Sequence, residues 1–294
     1  KNEVQSSYYQ YFEGRPNIFI MFIIKSLKLL KENGILSFVL PKNFLNCLYY
    51  DKTREYIKNN YKILDIYECK DDYIVTQQET IILIIQNTND VDNNKKYTLN
   101  VEGFNILSTL ENIDKLKTLY TNTTTLNKLG FDVNVGSVVW NQVKKQLSND
   151  SKNTLLIYSS DIKNNKVEIQ KYSNKDKKNY ITKTGNKDRL LVINRGYGKG
   201  TYKFNYCLIN DTNKEEDQIE YLIENHLICI KSRNKCDKTT LVQKYKQIIK
   251  SFNDERTARY ISLYFGNNAI NTTELCNIFP IYIDWLNIKW KSKY

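Results

Sequence analysis

The sequence is poor in the residues that build metal and redox centres. It holds one histidine, His226, and its six cysteines (Cys47, Cys69, Cys207, Cys229, Cys236 and Cys276) include no Cys-x-x-Cys pair. No metal site of ordinary ligand spacing is expected from that inventory. Scattered thiols in a chain of 294 residues fit a reducing, intracellular compartment, cytoplasm or nucleoid, better than a disulfide framework. A membrane span is not expected either: the apolar run from Ile18 to Leu30 is too short for one and carries Lys25 and Lys28. No secretory leader is visible, although Lys1 is not read as the native start.

What the chain does contain is apolar residues enough for packed cores, at 41%, over a length that accommodates two domains. Its formal charge of +12 favours a polyanionic partner. A Lys-, Asn- and Tyr-rich composition imposed by AT-rich codons gives the same excess, so charge alone leaves both explanations open.

The stretch from Pro16 to Asn87 organises the rest. Pro16 suits the first turn of a helix, where its missing N–H has no partner to lose. Phe19, Phe22, Ile23, Leu27 and Leu30 recur at helical spacing and predict one apolar face. Gly34 after Asn33 suits a left-handed helix end. Residues 35–40 form a continuous apolar run, the pattern of a strand buried on both faces. A second helix is predicted over 49–60, then strands at 63–68 and 80–86, close enough to form an antiparallel pair. Between them lies the loop Lys70-Asp-Asp-Tyr-Ile-Val-Thr-Gln-Gln, which carries Tyr73.

That order resembles the back half of an S-adenosylmethionine-dependent DNA methyltransferase, and above all the adenine-N6 enzymes of the gamma class. The family's Asp/Asn-Leu-Tyr-x-x-Phe signature is matched by Asn17, Ile18, Phe19 and Phe22. Its Gly-Gly-x-Leu-x-Phe-Ile-x-Pro strand is matched by Asn33, Gly34, Leu36, Phe38, Val39 and Pro41. Tyr73 takes the place of the aromatic residue that, in the family, stacks on the flipped target adenine. A base reaches such an enzyme only after leaving the duplex stack, and an aromatic face compensates part of what it loses; a surface tyrosine is the plainer alternative. The resemblance likewise gives Phe22 an edge of the cofactor's adenine pocket, where the bare sequence allows plain core. The family's Asn/Asp-Pro-Pro-Tyr/Phe motif and Gly-rich cofactor loop have no counterpart, and no Pro-Pro pair occurs. The resemblance therefore implies a C-terminal portion, with S-adenosyl-L-methionine held mostly by a missing N-terminal half on the same or a separate chain.

Residues 88–97 read as a loop and 98–120 as a short strand and helix. Thr121-Asn-Thr-Thr-Thr is the expected junction between a methyltransferase part at 1–120 and a second domain at 121–294. Beyond it, Asp132–Val139, Thr154–Ser159 and Arg189–Asn194 read as short strands between polar turns. The run of segments from Phe131-Asp-Val-Asn-Val-Gly through Leu190-Leu-Val-Ile-Asn-Arg-Gly-Tyr-Gly-Lys-Gly to Ile278-Phe-Pro-Ile resembles the target-recognition domain of Taq-type methyltransferases and fused restriction–modification enzymes. In the loop after Asn194, glycines permit close backbone approach, Arg195 and Lys199 offer charge and Tyr197 a stacking face for duplex DNA; a basic hairpin turn is the alternative. It is not a nucleotide-binding loop, since Lys199 is followed by Gly200 and then by Thr201-Tyr-Lys-Phe, which reads as a strand. His226, in an apolar stretch, reads as a structural histidine, and Lys175-Asp-Lys-Lys as a solvated turn.

The expected fold is thus α/β: the C-terminal half of a Rossmann-like methyltransferase sheet followed by an α+β target-recognition domain. The expected function is part of a site-specific adenine-N6 DNA methyltransferase in a restriction–modification system, inactive as this stretch alone. A non-catalytic DNA-binding specificity module on a degenerate methyltransferase scaffold, and a fusion with a nuclease, are the alternatives.

Overall fold

The computed structural model describes residues 6–14, 17–69, 78–195, 203–212, 214–234, 237–265 and 269–283. The chain is mixed α/β, with several sheets and helices. It forms two compact units, one built mainly from Lys1–Thr121 with Arg259–Asn268, the other from Asn122–Tyr197, Thr201–Ala258 and Ala269–Tyr294. Among the described residues no helix is long and apolar enough to cross a membrane.

In the first unit, helix α1 (Ile18–Leu29) is followed by strand β1 (Ile35–Pro41), helix α2 (Asp51–Asn60), strands β2 (Lys62–Glu68) and β3 (Thr80–Gln86), the hairpin β4 (Thr98–Val101) and β5 (Phe104–Leu107), and helix α3 (Leu110–Leu119). Asn17 starts α1: its side-chain oxygen accepts the Phe19 N–H at 2.9 Å, which satisfies one of the orphan donors of a first turn. Pro16 lies outside the described residues. Ile20, Ile23, Ile24 and Leu27 are buried, the i, i+3, i+4, i+7 set of one face. Phe22 is not on that face. It stands about 200° around the helix from Ile20 and is 67% exposed, so the expected stripe is rotated away from it. The left-handed residue after the helix is Asn33, at φ 59°, and not Gly34. Gly34 is needed for a different reason: a Cβ there would meet the Lys31 carbonyl oxygen at 2.8 Å.

The three strands pair in the order β1-β3-β2, with β3 antiparallel to both neighbours. The predicted antiparallel pairing of the second and third strands is present. Phe38 faces Leu83 across the ladder and Leu40 faces Ile81; all four are buried. The two-sided burial expected of β1 is not found. Ile35 and Val39 are 61% and 65% exposed, because they alternate onto the face opposite Phe38 and Leu40, and only that second face is packed. Behind the sheet, Arg54 of α2 is fully buried. Its Nε donates to the Asn105 carbonyl at 2.6 Å and its Nη1 to the carbonyls of Phe44 at 3.0 Å and Cys47 at 2.7 Å, while Asp51 lies 3.5 Å from the guanidinium.

The second unit contains β6 (Phe131–Val135), β7 (Thr154–Ile157), β8 (Leu190–Asn194), β9 (Tyr206–Ile209), β10 (Tyr221–Ile223), β11 (Leu227–Ser232) and the helices α4 (Lys238–Phe252), α5 (Glu255–Tyr264) and α6 (Thr272–Asn277), the first four residues of α5 alone belonging to this unit. One antiparallel sheet runs β9-β8-β11-β6. A second is built around β7, with β10 parallel on one side and the short segments Tyr180–Ile181 and then Leu147–Ser148 on the other. Of the strand expected over 201–204, Thr201 and Tyr202 lie outside the described residues, Lys203 and Phe204 are not in a strand, and β9 begins at Tyr206. Phe204 is drawn instead into an aromatic cluster, stacked on Phe252 at 4.1 Å and edge-on to Phe279.

Candidate functional site

The C-terminal end of β1 leads into the substrate-facing region that the resemblance implies. Pro41 ends the strand, and the Lys42 N–H donates to the Glu79 carbonyl at 2.9 Å. The Lys42 Nζ lies 2.9 Å from Glu68 Oε2 and 3.8 Å from Glu79 Oε1. Glu68 closes β2 and Glu79 immediately precedes β3, so one ammonium bridges the two stems of the intervening loop. A backbone bond from Cys69 N to Thr80 O at 2.9 Å joins the same stems, and the other Glu68 oxygen accepts from Asn112 Nδ2 at 3.0 Å. Lys42 is mostly buried, with 14% of its side chain exposed, so the pairing is screened less than a surface ion pair. Tyr73 itself falls in residues 70–77, outside the described residues. Sequence reasoning missed Lys42, although its place just after Pro41 was a usable signal.

Phe22 belongs to a second apolar row on α1, with Ile18 and Leu29, that is exposed among the described residues: 79%, 67% and 72% for Ile18, Phe22 and Leu29. The plain-core reading of Phe22 is therefore corrected. Its ring is open to a planar partner. No other residue of a cofactor cradle is identified among those described.

In the second unit, Arg195 leaves the end of β8 and is exposed, while Tyr197 and Lys199 lie outside the described residues. The geometry adds a group beside it. β8 and β11 are antiparallel with Asn194 opposite Leu227, so the next residues outward are Arg195 and His226. His226 is no core histidine: its side chain is 66% exposed. Its Nδ1 lies 2.6 Å from Oε1 of Glu224, and its backbone N–H donates to Glu224 Oε2 at 3.1 Å. Glu224 is 2% exposed. The sequence signal was a Glu-x-His spacing at a turn, which an apolar-neighbour argument overrides wrongly. Gly136 makes the arrangement possible, because a Cβ there would fall 2.2 Å from the Glu224 carbonyl oxygen.

A further charged group is held nearby in this unit. Lys177 sits over the rings of Tyr158 and Tyr172 at 4.1 and 4.0 Å, and the Tyr172 hydroxyl donates to the buried Asp161 at 2.7 Å. Burial lowers the Lys177 pKa, against the attraction of Asp161 and Glu224. The expected solvated turn at 175–178 thus holds one lysine that is sandwiched between rings.

Residues 1–75 match the Eco57I restriction-modification methylase family. Over 261 residues the chain is 26% identical to the type II methyltransferase M.CvrRI of Paramecium bursaria Chlorella virus XZ-6E, covering 87% of this chain and 62% of that protein. The chain thus spans about three-fifths of the length of this relative. The type IIG restriction endonuclease BpuSI is a distant structural neighbour, at 8% identity and a TM-score of 0.32, with 93% of this chain and 43% of that one covered.

Proposed function

We propose that this chain is the C-terminal part of a restriction–modification DNA methyltransferase that transfers a methyl group from S-adenosyl-L-methionine to adenine N6 of a flipped base in duplex DNA. The observation that carries the reading is the match of residues 1–75 to a restriction-modification methylase family, over a segment that contains α1, β1, α2 and β2. On this reading residues 1–120 supply the substrate-facing side of the catalytic domain and 121–294 recognise the target. Tyr73 stacks on the extruded adenine, Phe22 edges the cofactor, and Arg195, Tyr197 and Lys199 contact DNA. Lys42, by tying Glu68 to Glu79, holds the stems of the Tyr73 loop at a fixed separation.

Exposed apolar rows support a partner. Ile18, Phe22 and Leu29 of α1 are exposed, and so are Ile35 and Val39 of β1, on the face opposite the one that packs Phe38 and Leu40 into the core shared with α1; exposed large apolar side chains mark interaction surfaces. The partner that fits is the half of the methyltransferase carrying the catalytic motif and the cofactor loop, which would add a strand to the free edge of β1.

The test is methylation by the purified chain, alone and with that half supplied, read as N6-methyladenine in digested DNA. The chain alone is expected to give none and the pair to give N6-methyladenine at one sequence context. Methyl transfer to cytosine, or robust transfer by the chain alone, would sink this reading.

A further inference from the structure

The pairing of His226 with Glu224 poses a question that the fold does not answer. Taking a carboxylate out of water is costly unless it is paired, yet Glu224 is 2% exposed and its direct partners are the ring and backbone N–H of a residue whose side chain is 66% exposed. A structural need for the carboxylate would be met by a buried donor. Here the donor is a ring that faces water on its other side.

Geometry fixes what that ring offers. With Glu224 ionised, the nitrogen facing it is the one that carries hydrogen, so Nδ1–H donates to Oε1 and Nε2 is turned outward. The turn is held rigidly: Glu224 N–H donates to Ile157 O at 3.0 Å, Asn225 N–H to Val138 O at 2.9 Å, and Gly136 N–H to Leu227 O at 2.9 Å. Protonated, the ring presents an Nε2–H and a positive charge to whatever approaches that end of the sheet. The last pair of the β8–β11 register is Asn194–Leu227; His226, in the turn, directly precedes that pair on one strand and Arg195, which is exposed, directly follows it on the other. Two cationic donors flanking one register pair, one of them aimed by a buried carboxylate, suit the oxygens of a phosphodiester.

We propose that His226, aimed by Glu224, and Arg195 together bind one backbone phosphate of duplex DNA. This rests on the DNA-binding reading of the second unit and adds to it a contact that is made in full only when the imidazole is protonated. Other charged groups bear on the pair. Glu224 faces the ring directly. Lys177 and Tyr158, from neighbouring segments, feel the Glu224 charge, and Asp161 acts on both of them.

The experiment is fluorescence anisotropy of the whole chain on an unmethylated duplex, at about pH 6 and about pH 8, at several salt concentrations. Wild-type affinity is expected to fall roughly tenfold from the lower to the higher pH, the smaller end for a hydrogen bond to a charged group. His226→Gln should bind at both pH values as wild type does at the higher one, with a salt slope shallower by about one at the lower pH. His226→Lys should restore affinity and abolish the pH dependence. Glu224→Gln should lose affinity at the lower pH. If His226→Gln keeps the wild-type pH profile and salt slope, or loses the same factor at both pH values, the proposal is overturned while the DNA reading stands. If the wild-type chain binds no duplex at either pH, the DNA reading fails and this proposal fails with it.

Discussion

Two strands of near-identical texture meet different fates in this molecule. In β8 the run Leu190, Leu191, Val192 and Ile193 is buried throughout, flanked by β9 and β11 and covered on both faces. In β1 the run Ile35, Leu36, Ser37, Phe38, Val39 and Leu40 is buried only at Phe38 and Leu40. The first reads as a short strand between polar turns and the second as a strand buried on both faces, and the burial is the reverse. Neighbours, and not residues, decide burial: β8 lies inside its sheet, whereas β1 is the outermost strand of its sheet among the described residues and packs one face.

The largest effect that would test this contrast is in the middle of the first sheet. Leu83 sits on β3 between both partners and is fully buried, so Leu83→Ala should destabilise the chain by about 2–5 kcal/mol in urea unfolding. A loss below that range would mean that the sheet is as open at its centre as at its edge. Tyr73→Ala, assayed with the other half of the enzyme present, should weaken capture of the extruded base by about 1–3 kcal/mol, read by 2-aminopurine fluorescence and methylation rate. Tyr73→Phe should retain most of the function, and equal readouts for Ala and wild type would make Tyr73 a surface residue.

The burial of the second unit's sheet should also show in thiol chemistry. Burial pushes the Cys207 thiol up to about 11 and the Cys229 thiol up to about 12. Both therefore stay protonated near neutrality and should react with a thiol reagent only on unfolding. The sign for stability follows. The unfolded chain gives up these protons above about pH 8.5, whereas the folded chain keeps them. Stability is then full below that value and falls as pH rises towards the folded pKa values, which a series of thermal melts at rising alkaline pH would reveal. Rapid labelling of both cysteines in the folded protein would count against that burial. The smallest effect belongs to the open edge: Val39→Ala should move the stability of the chain alone by no more than about 0.5 kcal/mol. The same change should cost more once a partner covers β1, and an equal cost in both states would place the interaction surface elsewhere.

Much of the element order was legible. The helices near 18–29 and 51–60 and the strands at 35–41, 62–68 and 80–86 follow from apolar periodicity and apolar runs, while the cap at Asn17 is seen only in the structure. Relations that depend on distant neighbours were not legible. The side of α1 that is buried was misjudged at Phe22, because a helix rich in isoleucine carries apolar residues around most of its surface. Gly34 was assigned a left-handed turn that Asn33 takes, since either residue tolerates it and only the approach to Lys31 O separates them. The strand before Tyr206 was started too early because Phe204, a good strand former, is claimed by Phe252. His226 was misread for the same kind of reason: Leu227 and Ile228 beside it are buried, and although Glu224 stands two residues away in the sequence, its burial and its pairing with the exposed ring depend on the fold.

Arg54 carries a consequence for how the first unit comes apart. One guanidinium fastens the carbonyls of Phe44, Cys47 and Asn105, so the turn after β1, helix α2 and the β4–β5 hairpin share a single anchor. Releasing any of these segments alone would leave a cation in a dry interior with its acceptors withdrawn, which is a worse state than releasing all three. Local fraying is thereby suppressed in favour of concerted opening. In hydrogen exchange, the amides around these three attachment points should form one protection class and open at a common free energy, with Arg54→Lys splitting that class, since an ammonium cannot reproduce the planar fork.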